Sequence, residues 1–254
     1  MFMPKEAEFA VIVPSFNNAK WCQKNLLSIA GQTYPSFHLY YIDDASTDET
    51  KTIAQDIIAS TSLKEKTTCL HNTQRKGSLA NFYETIHQLE PHKIVVCVDG
   101  DDWLAHEKVL SVVASAYENK GTWLTYGDFE IDPKDLLEGQ CEAIPEEVCK
   151  TNAIRSYSFV ASHLKTFYAK LFQNIKKSDL MLDGHFFPMI GDVAFMIPML
   201  EMASNNHFLY IPEKLYIYNA ANPINDFKAH VEEQKFYRWI IHVREPYTPL
   251  TTLF

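Results

Sequence analysis

The sequence predicts an α/β fold, a mainly parallel central sheet flanked by helices. Three observations predict it. Short apolar runs rich in β-branched and aromatic side chains, FAVIV at 9–13, FHLYYI at 37–42 and IVVCV at 94–98, read as buried strands. A polar turn follows each run, and beyond it apolar residues recur at helical spacing. The order strand, turn, helix repeats three times before position 99, which selects parallel strands joined by right-handed crossovers.

Taken in order, Phe9–Val13 stops at Pro14-Ser15-Phe16-Asn17-Asn18. Asn18 can cap a helix carrying Trp21, Leu26, Leu27 and Ile29, which ends near Gly31 because Tyr34-Pro35 cannot continue it. The second strand, Phe37–Ile42, runs into Asp43-Asp44-Ala45-Ser46-Thr47-Asp48-Glu49-Thr50. Ser46 or Thr47 with Glu49 or Thr50 comes close to a capping arrangement for a helix with Ile53, Ala54, Ile57 and Ile58. A third strand near Thr67–His71 leads through Asn72–Gly77 to a helix with Leu79, Phe82, Tyr83 and Ile86. The fourth, Ile94–Val98, ends in Asp99-Gly100-Asp101-Asp102, three carboxylates within four residues.

Open α/β sheets bind ligands beyond the carboxyl ends of their strands, so these turns would line one crevice. Carboxylates crowded there repel one another unless a cation or a hydrogen-bonding ligand compensates them. Mg²⁺ or Mn²⁺ takes oxygen ligands, one or two carboxylates plus substrate phosphates. The bland alternative is that Asp101 or Asp102 N-caps the next helix, with Glu107 in its first turns. Four converging polar turns are harder to explain as capping than one.

Further on, a helix is expected from Leu104 to Tyr117 and a strand over Trp123–Tyr126. Asp128–Glu147 holds eight acids against one lysine, the pattern of a solvated loop or of a flap over an acceptor site. Gly191-Asp192 precedes a strongly apolar helix, Val193–Met202. The tail from Glu232 to Arg244 mixes charges with Phe236, Tyr237, Trp239, Ile240 and Ile241. It reads as a helix covering the core rather than a membrane or partner surface, because it lacks a strongly cationic face.

Composition bounds the rest. A chain of 254 residues with 46% hydrophobic and 22% charged residues is one large globular domain or two fused halves. A formal charge of −9 argues against a nucleic-acid surface. The apolar start is too short for a signal peptide, and no run of about 18 apolar residues exists for a transmembrane helix. Five cysteines with no CxxC pair fit a reducing, cytoplasmic setting.

The runs VIVPSFNN, LLSIAGQTYP, YYIDDASTDET, RKGSLAN and VDGDDW together resemble the nucleotide-sugar half of inverting family 2 glycosyltransferases of the GT-A fold. WLTYGDFE, SHLKTFYAKLF, DGHFFPMIGDVAFMIPMLEMA and LYIYNAANPIN resemble a bacterial and viral subgroup of that family, so the likeness covers most of the chain. It implies one GT-A domain over 1–254: a nucleotide-sugar half to about 105, an acceptor half over about 106–220, and a helical tail over 221–254.

Carried over residue by residue, the resemblance implies that Pro14 and Ser15, with Asn17 in the same turn, hold the nucleotide. Asp43, beside Asp44, would accept from uracil N3–H, an anionic acceptor suiting a ring donor. Arg75 or Lys76 would lie near the base or the diphosphate. Asp99 and Asp101, with Gly100 between them, match the DxD, Asp99 toward the ribose and Asp101 on Mn²⁺ or Mg²⁺. His163 would stand beside the donor pocket, or else be a buried, hydrogen-bonded histidine. Asp192 would be the catalytic base, and also suits a helix N-cap; Asp183 and His185 are second candidates for acceptor contact. The family's YR-x-H motif is replaced by Tyr216-Ile217-Tyr218-Asn219-Ala220-Ala221-Asn222, without a cation, so Asn219, Asn222 and Lys228 become candidates near the phosphates.

The implied activity is metal-dependent transfer of a sugar from a UDP-sugar to a hydroxyl acceptor (glycan, lipid-linked or protein) with inversion. No nucleic-acid partner is expected, and peripheral membrane contact stays open. A nucleotidyltransferase would want a Gly-rich basic loop after the first strand, and Pro14–Lys20 is not one. A non-catalytic nucleotide-sugar-binding subunit would keep the donor motifs but lose Asp192 or acceptor access.

Overall fold

The computed structural model describes residues 7–134, 141–223 and 230–254. Its framework is an eight-stranded mixed sheet among these residues, in the order β3-β2-β1-β4-β7-β6-β10-β5. The donor side has the expected repeat: β1 (Phe9–Ser15), α1 (Cys22–Ala30), β2 (Phe37–Asp43), α2 (Thr50–Ser60), β3 (Thr67–His71), α3 (Ser78–Ile86) and β4 (Ile94–Cys97). β1 pairs in parallel with β2 and β4, and β2 with β3. Every residue of β1 and β4 is buried, which is why neither strand shows polar alternation.

The second half extends the same sheet with β5 (Trp103–Leu104), α4 (Val109–Tyr117), β6 (Leu124–Asp132), α5 (Glu146–Lys150), β7 (Lys165–Tyr168) and α6 (Ala169–Gln173). A small hairpin of β8 (Met181–Leu182) and β9 (His185–Phe186) follows, then α7 (Gly191–Met202), β10 (Phe208–Asn219) and α8 (Val231–His242). β7 runs antiparallel between β4 and β6, and this reversal brings the start of β7 beside the end of β4. One core cluster packs β1, β4, α3, α6 and α7; the other packs α1, α2 and α4 against the opposite face.

Several local expectations change. The helix expected from Leu104 begins at Val109, because Trp103–Leu104 pairs with Tyr216–Ile217 of β10. Asp102 therefore caps no helix, and neither does Asp101. Asn18 contributes its backbone carbonyl, not its side chain, to the turn that opens α1. At α2 the side-chain partner of the first N–H groups is Asp48, whose Oδ1 accepts from Thr50 N at 3.0 Å, rather than Ser46 or Thr47. β6 continues to Asp132, so the acidic stretch starts on a strand; residues 135–140 within it lie outside the described residues.

The tail does form a helix. α8 buries Ile241 and packs Tyr237 and Ile240 on the core, while Phe236, Trp239 and Val243 stay exposed. Among the described residues no helix is long and apolar enough to cross a membrane.

Candidate active site

A cleft of about 530 Å³ opens where the carboxyl ends of β1 and β4 meet the second half. Pro14, Arg75, Asp99, Gly100, Asp101, Asp102, His163 and Asp192 all line it, although they come from five separate stretches of sequence. Gly100 is there because only glycine fits. A Cβ would meet Ser15 Cβ and Oγ at 2.7 Å and Asn18 Nδ2 at 2.8 Å, so the β4 turn rests directly on the β1 turn.

The acidic turn is held from behind. Asp102 is buried, and its two oxygens accept from Tyr216 OH at 2.8 Å and Asn219 N at 2.7 Å. Tyr216 OH also accepts from Asp99 N at 3.0 Å. Asn219 Nδ2 donates to Asp101 O at 3.1 Å, and Asn222 Nδ2 to Asp101 Oδ2 at 2.8 Å. Both asparagines thus brace the acidic turn, and Lys228 lies outside the described residues. Burial pushes the Asp102 carboxyl well up, and repulsion from Asp101 and Asp99 adds to it. The Asp99 carboxyl is also raised, by burial and by Asp192, against the pull of Lys165.

Asp99, Asp102 and His163 each offer one ligand atom, all within 4.8 Å of one another. Crowded oxygen donors with raised carboxyls are what a hard divalent cation would relieve, so the donor set fits such an ion. His163 is buried, stacked on Tyr216 at 4.4 Å between ring centroids. Burial holds its imidazole well below the usual range, and Lys165 lowers it further, so the ring is neutral, the form that binds metals.

Asp192 lies in the first turn of α7 after Ile190, which adopts a left-handed conformation. Asp192 is about one-third exposed, and its Oδ1 accepts from Val193 N at 2.8 Å. Asp183 and His185 sit at the exposed tip of the β8–β9 hairpin and do not line the cleft.

Other expected nucleotide residues stand away from the cleft lining. Ser15 is buried and accepts from Asn18 Nδ2 at 3.2 Å. Asn17 Oδ1 accepts from Thr47 N at 2.8 Å, and Asn17 N donates to Ser46 Oγ at 3.0 Å, tying the β1 and β2 turns together. Asp43 is buried, accepting from Ser46 N at 3.3 Å, with His71 Nδ1 3.7 Å from its other oxygen. Asp44 accepts from Asn72 Nδ2, Lys76 N and Gly77 N at 2.7 to 2.9 Å and so shapes the loop before α3. Lys76 Nζ pairs with Glu84 at 2.6 Å. Arg75, in contrast, spreads over the Phe16 ring at 4.1 Å, and both line the cleft.

Sequence reading passed over Lys165, and Gln234 and Arg238 of α8, all three lining the cleft, and named Tyr216 without seeing that it holds Asp102. Only Lys165 carried a visible signal, a lone cation opening a strand otherwise fit for burial.

A model of glycosyl transferase family 2 matches residues 10–188. Glycosyltransferase GlyA of Streptococcus pneumoniae is 22% identical over 224 residues, covering 83% of this chain and 30% of that protein. Among solved structures, S. aureus TarS 1-349 in complex with UDP-GlcNAc superposes with a TM-score of 0.65 at 18% identity, covering 91% of this chain and 63% of TarS 1-349. The mannosyltransferase PcManGT from Pyrobaculum calidifontis, in complex with GDP-Man and Mn²⁺, gives 0.62 at 18% identity, covering 95% of this chain and 66% of its own. These structural likenesses show a GT-A-like fold; the chain spans less than two thirds of GlyA and of TarS 1-349.

Proposed function

The chain belongs to glycosyl transferase family 2, and from that premise we propose that it transfers a sugar from a UDP-sugar to a hydroxyl acceptor with inversion at the anomeric carbon. The observation that carries this reading is the cleft itself, lined at once by Asp99, Asp101 and Asp102 and by Asp192. The first three come from the donor half to about 105 and Asp192 from the acceptor half. Mn²⁺ or Mg²⁺, held by Asp99 and Asp101 or by the Asp99, Asp102 and His163 group, would supply charge neutralisation for the departing diphosphate. Relatives solved with Mn²⁺ and with UDP-GlcNAc support the ion and the base.

Pro14, and Arg75 across the Phe16 ring, line the donor side of the cleft, where the nucleotide is placed. Asp43 is the acceptor assigned to the uracil N3–H, at the buried end of β2 behind the cleft lining. Asp192 takes the proton from the acceptor hydroxyl as its oxygen bonds to the anomeric carbon. The bond from that carbon to the diphosphate breaks in the same displacement, its electron pair leaving with UDP. Asp192 stands in the first turn of α7, with its Oδ1 fixed by Val193 N and its Oδ2 left to meet the acceptor hydroxyl.

The test is turnover of a panel of UDP-sugars with Mn²⁺, Mg²⁺ or EDTA, read as UDP release, for the wild type and Asp192→Asn. Asparagine keeps the size and the first-turn contact, so the variant folds and binds UDP. Transfer falls about 10²–10⁴-fold. Wild-type rates in Asp192→Asn would move the base elsewhere, and a chain that binds UDP-sugars without turning any over would be a binding subunit.

A further inference from the structure

A buried ammonium lines the same cleft as the acidic groups. Lys165 opens β7 beside Cys97, the last residue of β4, and only 3% of its surface is exposed. An apolar neighbourhood makes an unpaired ammonium costly, so a lysine persists at such a place only with compensating partners. Its Nζ lies 3.2 Å from His163 Nδ1 and 4.0 Å from Asp192 Oδ2. Asp99 and Asp102 act on the same charge.

The two ends of this contact differ in rigidity. Lys165 projects from a strand laddered to β4, with its head anchored on an imidazole that is itself stacked on Tyr216. Asp192 projects from the first turn of α7, one-third exposed. Its Oδ1 is taken by Val193 N, which leaves Oδ2 to face the ammonium. Asp99 and Asp192 also repel each other, and Lys165 is the cation that acts on both.

We propose that Lys165 is a positioning residue for transfer: anchored on His163, its ammonium holds the Asp192 carboxylate in the orientation from which it takes the acceptor proton. The proposal rests on the reading of Asp192 as the base. It assigns the lysine no proton and no contact with substrate. Misplacing a reacting group by about 1 Å costs on the order of 100-fold in rate, so an anchor of this kind is felt in kcat rather than in binding.

The experiment is a double-mutant cycle between Lys165→Met and Asp192→Asn, with Lys165→Gln and Lys165→Arg as companions. UDP release is followed with the UDP-sugar of the panel that turns over fastest. Lys165→Met and Lys165→Gln are expected to lower kcat roughly 10- to 100-fold with the donor KM within about threefold. Lys165→Arg recovers part of the loss because the charge returns. In the Asp192→Asn background the same lysine change adds less than about threefold, since there is no carboxylate left to hold. Urea unfolding of the four proteins of the cycle reads the contact without activity, and the lysine change costs less stability once Asp192 is amidated. Multiplying kinetic losses, an unchanged kcat, or additive unfolding energies would each overturn the proposal. Loss of the base reading shows separately, as full activity in Asp192→Asn alone.

Discussion

At the scale of single residues, aspartates only a few positions apart do different work because their surroundings differ. Asp44 is a staple. Burial alone would raise its carboxyl, but hydrogen bonds from Lys76 N, Asn72 Nδ2 and Gly77 N outweigh burial and hold it below the usual carboxylate range. A depressed folded-state pKa contributes stability above the unfolded value, near 4, and that contribution is lost as pH falls through the folded value. Asp44→Asn is therefore expected to be less stable at pH 7 and to lose less on acidification below about pH 4. Urea midpoints measured across pH check this, and parallel curves for the two proteins would remove Asp44 from the role. Asp102 behaves oppositely: burial and the neighbouring Asp101 and Asp99 raise its carboxyl, and the hydrogen bonds from Asn219 N and Tyr216 OH offset them only in part.

At the scale of elements, the site depends on two strand-end turns lying in contact. Gly100 allows it, since a side chain there would enter the space of Ser15 and Asn18. Gly100→Ala must push the β1 and β4 turns apart, an overpacking that costs roughly 1–3 kcal/mol. The expected outcome is a folded protein with a lower melting temperature and UDP affinity reduced at least about tenfold, read by calorimetry. Unchanged affinity would mean that the two turns act independently. The same scale explains the missed strand at Trp103–Leu104. Its pairing partners, Tyr216 and Ile217, are more than 100 residues away, so nothing local distinguishes it from the start of a helix.

At the scale of the whole molecule, a buried ion pair ties together distant parts of the chain between Arg155 and Tyr247. Arg155 meets Glu201 of α7 in a two-pronged contact at 2.7 Å on each side. Its remaining nitrogen donates to Ile241 O of α8 at 2.6 Å, and Tyr247 N donates to Glu201 at 2.9 Å. Removing one partner of such a pair strands the other charge in the core, at about 3–5 kcal/mol. Arg155→Met should lower the melting temperature by roughly 10 °C, taking about 2–4 °C per kcal/mol at this chain length. It should also expose the segment 231–254 to limited proteolysis before the rest of the chain is cut. Because α8 carries Gln234 and Arg238 to the cleft, the loosened protein is expected to bind donor less tightly as well. A variant as stable and as protease-resistant as the wild type would show that the tail docks without this pair.

The sequence by itself determined the parallel donor half, strand by strand, because buried strands and amphipathic helices write their periods directly into neighbouring residues. It also marked Asp99, Asp101 and Asp192 by motif, and those three do line one cleft. What it could not determine lay in contacts between distant residues. Asp102 looked like a helix cap, and only β10 arriving with Tyr216 and Asn219 made it a buried anchor. Lys165 showed only as a lone cation in an otherwise apolar run, and its partners appeared when β7 ran backwards beside β4 and brought its ammonium to His163 and Asp192. A local pattern records which face of an element is buried, but not which charge meets another across the sheet, and that is decided only when the strands take their order.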